Sequence, residues 1–134
     1  MAAYIIARVN VRDWGAYREY MRHTPRVIQK FGGRFIARGG EMVTLEGPEE
    51  TLRVVLIEFP SIERVKAFYN SPDYARTKRL REGGGEAQFV ALDGYPAEEW
   101  EAAARESANL EPPARGPKKG ARARRAQPAG RTDA

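Results

Sequence analysis

Residues 3–11 alternate in character: Ile5, Ala7, Val9 and Val11 point one way, Tyr4, Ile6, Arg8 and Asn10 the other. That two-residue period predicts a β-strand with one apolar and one mixed face. Asp13 then reads as a helix N-cap. Behind it Trp14, Tyr17, Met21, Thr24, Ile28 and Phe31 recur at spacings of three and four, a single helical stripe. Pro25 interrupts the stripe. It lacks an amide donor and crowds the carbonyl four residues back, so a kink or split near residues 21–24 is expected. Gly32-Gly33 supplies the stop.

Residues 34–38 and 42–45 read as short strand segments joined through Gly39-Gly40, and residues 52–59 as the strongest strand in the chain. Pro60 ends it, and Ser61 caps a helix carrying Ile62, Val65, Phe68 and Tyr69. Ser71-Pro72 restarts helix, a cap followed by proline at the first helical position, with Tyr74 and Leu80 on the second piece. Gly83-Gly84-Gly85 releases the chain into a last strand, residues 87–92, and residues 96–110 form a short helix with acids in its first turn. The order β-α-β-β-α-β, with right-handed crossovers, puts both helical connections on one face of a four-stranded antiparallel sheet. A ferredoxin-like α+β sandwich over residues 1–95 is the expected fold, followed by the short helix at 96–110 and a tail at 111–134.

The second face of that sheet is too apolar for water. On residues 52–59 one alternating set is Val55, Ile57 and Phe59, the other Val54, Leu56 and Glu58. Whichever set meets the helices, the other presents at least two large aliphatics, joined by Tyr4 and Ile6. Each forgoes roughly 1.5–3 kcal/mol if left in water, and a contiguous patch of this kind marks an interface or a ligand cavity. A second copy of the chain, sheet against sheet about a two-fold axis, is the expected cover. Two such sheets would enclose a pocket for a small molecule. Glu58, sharing this face with Val54 and Leu56, would need a cation, and Arg38 and Arg8 are the candidates. A register-fixing ion pair, a carboxylate acting as acid, base or ligand anchor, and an exposed strand end all remain open for Glu58.

The 134 residues make one domain's worth of core and contain no cysteine. Disulfides and thiolate metal sites are thereby excluded, and a reducing cytoplasm is expected. The opening "MAAYIIARVNV" turns polar too soon for a signal peptide or a spanning helix. The net charge of +5 lies entirely in residues 111–134, which hold seven Lys and Arg against two acids. Rich in Pro, Gly, Ala and Arg and devoid of large apolar residues, this tail reads as disordered. It is a solubilising extension or a weak, salt-sensitive contact for nucleic acid, and nucleic acid is expected only there.

The segments "KFGGRFIARGG", "LEG", "VVLIEFPS" and "AFYNSPDY", in this order on this frame, resemble the domain of unknown function 1330 family from about residue 3 to 95. The resemblance marks Gly33, Phe35, Arg38 and Gly39, then Glu58, Phe59 and Ser61, then Tyr69, Ser71 and Tyr74 as motif positions. It departs at "GGGEAQ", where a less glycine-rich connection is the family pattern. The family looks like a branch of the dimeric α+β barrel superfamily. What this implies is a homodimer, among relatives that range from cofactor-free oxygenases and isomerases to ligand-sensing domains, so fold does not fix activity.

Candidate chemistry is sparse. His23, the one histidine, lies well off the helical stripe, as a surface residue or a proton shuttle. One His and no Cys argue against a metal centre, and no cofactor is expected. Ser61 and Ser71 read as helix caps, and the glycine clusters match no phosphate-binding motif. Tyr17 and Tyr69 fit helix-core positions, while Tyr20 and Tyr74 fall at the stripe edge, packing in the core or reaching a cavity mouth with their hydroxyls. The resulting expectation is a small dimeric protein with an inter-sheet pocket for a small organic acid or aromatic. Glu58 and Arg38 are its candidate catalytic residues, and Tyr20, Tyr69, Tyr74 and His23 its candidate binding residues. A cofactor-free enzyme and a non-catalytic ligand-binding or structural dimer both stand, with a tail-driven nucleic-acid accessory role behind them.

Overall fold

The computed structural model describes residues 1–114; the remainder of the basic tail, with its expected disorder, lies outside the described residues. The elements run β1 (Ala3–Val11), α1 (Trp14–Lys30), β2 (Arg34–Ala37), β3 (Arg53–Phe59), α2 (Ile62–Tyr69), α3 (Pro72–Arg79), β4 (Gly85–Asp93) and α4 (Ala97–Ala108). The four strands form one antiparallel sheet in the order β2-β3-β1-β4, the ferredoxin-like α+β arrangement that the pattern predicts. No helix of the described residues is long and apolar enough to cross a membrane.

The chain divides into two compact units. The first holds Met1–Gly40 and Leu52–Tyr95, the second Glu41–Thr51 and the residues from Pro96 on. In the second unit α4 carries Glu98 and Glu99 in its first turn and buries no residue. The Glu50 amide there donates to Thr44 Oγ1 over 3.0 Å. The strand expected at residues 42–45 does not form. β2 stops at Ala37 after a register irregularity between Phe35 and Ala37, and Met42, Val43 and Leu45 are exposed.

In the first unit, strand alternation sets the layers. Ala3, Ile5, Ala7 and Val9 of β1 are buried with Val55, Ile57 and Phe59 of β3, against Tyr17, Tyr20, Val27 and Ile28 of α1 and Val65, Phe68 and Tyr74 of α2 and α3. The opposite parity forms the second face: Tyr4 stands between Glu58 and Leu92, Ile6 between Leu56 and Val90, and Arg8 between Val54 and Gln88. Val90 is 46% and Leu92 56% exposed.

Helix α1 does not split at Pro25; it continues from Trp14 to Lys30. The proline removes the amide that would bond the Met21 carbonyl. Arg38 Nη2 donates to that carbonyl over 3.2 Å in its place. Thr24 Oγ1 donates to the Tyr20 carbonyl one residue earlier, over 2.5 Å, so the local deficit is repaired by side chains. Gly33 is required where α1 meets the sheet, because a Cβ there would come within 2.6 Å of the Phe59 ring. The glycine triplet serves the start of β4: Gly85 has φ +154°, and a Cβ on it would stand 2.2 Å from the Asn10 carbonyl oxygen.

Candidate functional site

Ser71 caps α3, accepting from the Tyr74 amide over 3.0 Å while its hydroxyl donates to the Phe68 carbonyl over 2.8 Å. That fixes Tyr74, fully buried, against Tyr20 of α1, and the two hydroxyls share a hydrogen bond of 2.6 Å. For these tyrosines the sequence allows core packing or a cavity mouth, and both are buried in the core. In the turn that follows α3, Arg81 donates to the Tyr74 hydroxyl across 3.5 Å. Its guanidinium lies 5.0 Å from the Tyr20 ring centre and 5.5 Å from that of Phe89. Burial, reinforced by the adjacent Tyr74, raises the Tyr20 phenol far above the ordinary tyrosine value, so its hydroxyl keeps its proton. For Arg81, burial works against the charge, but the Tyr74 and Tyr20 hydroxyls outweigh it and the net direction is upward.

Two cavities border this tyrosine–arginine cluster, and Phe89 lines both. The larger, about 400 Å³, lies between α2, α3 and β4. Its apolar wall includes Ile5, Val65, Tyr69 and Phe89, its cations are Lys66, Lys78 and Arg81, and no carboxylate lines it. Lys78 Nζ donates to the Tyr69 hydroxyl over 2.9 Å, and the Nε of Arg81 is buried without a hydrogen-bond partner. The smaller cavity, about 20 Å³, lies between α1 and the sheet and is lined by Tyr17, Tyr20, Thr24, Phe35, Arg38 and Arg53 among others. The Tyr17 phenol is raised by burial, with Arg53 partly offsetting it.

The remaining predicted residues fall elsewhere. Glu58 does stand on the apolar second face, but its cation is Arg34, Nε to Oε1 3.0 Å, across the Arg34–Glu58 register pair. Arg38 is not that partner: it stacks 4.1 Å from the Phe35 ring centre on the helix side and repairs α1. Glu58 and Arg38 are therefore not brought together. Arg34 is largely exposed, and an ion pair so hydrated contributes little stability. His23 lines a third, open cleft between α1 and α3 with Arg26, Lys30, Asp73 and Arg76, its Nε2 3.7 Å from a Glu19 oxygen. In that cleft Asp73 pairs with Lys30 and Arg76, and the Lys30 hydrogen bond leads in holding its carboxyl below the usual range. Among the described residues no group of three or more His, Asp or Glu could hold a metal.

Arg53, Arg81 and Lys78 were not singled out from the sequence, although two of them carry a signal. Arg53 shares the buried parity of Val55, Ile57 and Phe59, the same anomaly that drew attention to Glu58. Arg81 continues the spacing of Tyr74 and Thr77.

Residues 2–95 match the family model of the domain of unknown function 1330 (DUF1330). Among solved structures, the RPA0582 protein of unknown function from Rhodopseudomonas palustris superposes with a TM-score of 0.59 at 20% identity, over 71% of this chain and 83% of that one. SnoaB, a cofactor-independent oxygenase from Streptomyces nogalater, superposes with a TM-score of 0.53 at 7% identity, over 72% and 95%. At these identities the likeness is one of fold. Among curated protein sequences none matches.

Proposed function

The chain belongs to the DUF1330 family, and we propose that it is a homodimeric small-molecule-binding protein whose ligand, a small aromatic organic anion, occupies the 400 Å³ pocket between α2, α3 and β4. One observation carries the reading: three cations converge on an apolar pocket that no carboxylate lines. A volume of this size lies in the range of ligand sites, which combine apolar walls with a few convergent polar groups. The Tyr69 and Phe89 rings, 5.9 Å apart between centres, supply faces for an aromatic ring, and Lys78 and Arg81 supply donors to a carboxylate. The pocket of this proposal is therefore on the helix side of one protomer, not between two sheets. The dimer is proposed from the second face, where Ile6, Leu56, Val90 and Leu92 form the stripe that a second copy would cover. A chain without cysteine fits a reducing compartment, and the cytoplasm is the one we propose.

Catalysis on the same ligand is a second reading, favoured by Arg81, which lines the pocket and also donates to the Tyr74 hydroxyl behind it. Its guanidinium is a donor that an oxyanion developing on the substrate would accept from, and the fold is one that a cofactor-independent oxygenase also uses.

Calorimetric titration with benzoate and salicylate, against the neutral benzamide, tests the site. Saturable binding of the carboxylates is expected, with benzamide weaker by about tenfold or more, since a charge-assisted hydrogen bond contributes about 1.5–3 kcal/mol. Arg81→Gln and the exposed Lys78→Gln should each weaken benzoate by a comparable factor. Equal affinity for benzamide, or unchanged binding in Lys78→Gln, would sink the proposal. Product appearing on incubation would select the enzyme reading.

A further inference from the structure

We infer that the 20 Å³ cavity between α1 and the sheet is a second binding site, for one monatomic anion of chloride size, held by Arg38 and Arg53. The two guanidinium groups line one cavity, and no Asp or Glu lines it with them. Among the described residues neither arginine belongs to an ion pair, whereas Arg12, Arg22, Arg34 and Arg76 each have a carboxylate. Arg53 Nε is buried with no hydrogen-bond partner, a position that costs free energy unless a ligand fills it. Arg38 gives one N–H to the Met21 carbonyl and keeps others.

Two like charges, both half-buried, line the same small cavity with Phe35, Val55 and Ile57, and their repulsion is screened less than it would be in open water. Burial first, and then the Arg53 charge, hold Arg38 below its ordinary proton affinity. A guanidinium does not shed its proton in a protein, so the relief available to this pair is a counterion. The size of the cavity decides which one. About 10–15 Å³ suffices for a water-sized occupant; this space admits such a species and excludes the aromatic acid proposed for the larger pocket. The inference is independent of that proposal.

The test is a thermal melt of the full chain in sodium gluconate, exchanged stepwise for chloride or bromide at constant ionic strength. The site predicts a Tm that rises and saturates in wild type, with the half-saturating concentration about tenfold or more higher in Arg53→Gln. A rise that is linear and equal in the two proteins is a general salt effect and overturns the site. Should Arg53→Gln fail to fold, bromide-soaked wild-type crystals decide alone. An anomalous peak between Arg38 and Arg53 supports the site, and a cavity without one refutes it.

Discussion

Leu56→Arg should leave a folded monomer. Leu56 stands directly across from Ile6, which is flanked on its other side by Val90, at the middle of the proposed interface. A two-fold interface meets every substitution twice, so the variant would set two guanidiniums near the axis in place of two apolar contacts. Loss of about 1.5–3 kcal/mol per leucine, doubled by symmetry, weakens dimerisation by roughly 100-fold to 10,000-fold before any charge repulsion is added. Light scattering or sedimentation at micromolar concentration should give dimer mass for wild type and monomer mass for the variant. Far-UV circular dichroism should be unchanged, because the helix-side core is untouched. A monomeric wild type, or a variant that stays dimeric, removes the proposed interface.

Phe68→Ala should have the largest effect on the fold itself. Phe68 is completely buried, and its ring centre lies 4.6 Å from that of Tyr74, 5.1 Å from Phe59 and 6.2 Å from Phe31. It is the piece that joins α2 to α1, α3 and β3. Truncation leaves a cavity bounded by three aromatic rings that cannot all move inward, at a cost of about 3–5 kcal/mol. Against a total of roughly 5–15 kcal/mol for a domain, much of the stability goes. Urea denaturation should show a lower midpoint with little change in slope. A loss under about 1 kcal/mol would mean that the aromatic cluster does not hold the fold together.

The sequence was most legible where a local rule had no competitor. Residues 3–11 alternate between an apolar and a mixed face and form β1 over that same span. Asp13, Ser61 and Ser71 were readable as caps, and each accepts backbone amides in the structure. Local rules failed where a distant group intervened. Pro25 leaves the Met21 carbonyl without its helical donor, and the group that bonds it is Arg38, 17 positions from Met21 in sequence; the helix continues without a split. Residues 42–45 have strand-like composition, but a strand also needs a partner, and no residue of β3 is paired with them.

The site shows the same division. Parity gave two possible faces for Glu58, and only pairing across the sheet put it with Tyr4 and Leu92. Its cation depends on the register of β2 against β3, which the long β2–β3 connection hides in the sequence, so Arg38 and Arg8 look as eligible as Arg34 until the strands are paired. Tyr20 and Tyr74, on different helices, were legible as stripe-edge residues but not as a pair, because their 2.6 Å contact rests on how α1 and α3 pack. Arg53 is the opposite case: an arginine in an otherwise buried strand parity is visible in the sequence.

The proposal that organises these observations is that the pocket between α2, α3 and β4 receives an aromatic anion. A crystal structure of wild type soaked in salicylate addresses it most directly. The account predicts a ring between Tyr69 and Phe89, with its carboxylate within hydrogen-bond distance of Arg81 or Lys78. Salicylate bound instead against Ile6 and Leu56 on the second sheet face, or an empty pocket at saturating concentration, would contradict it.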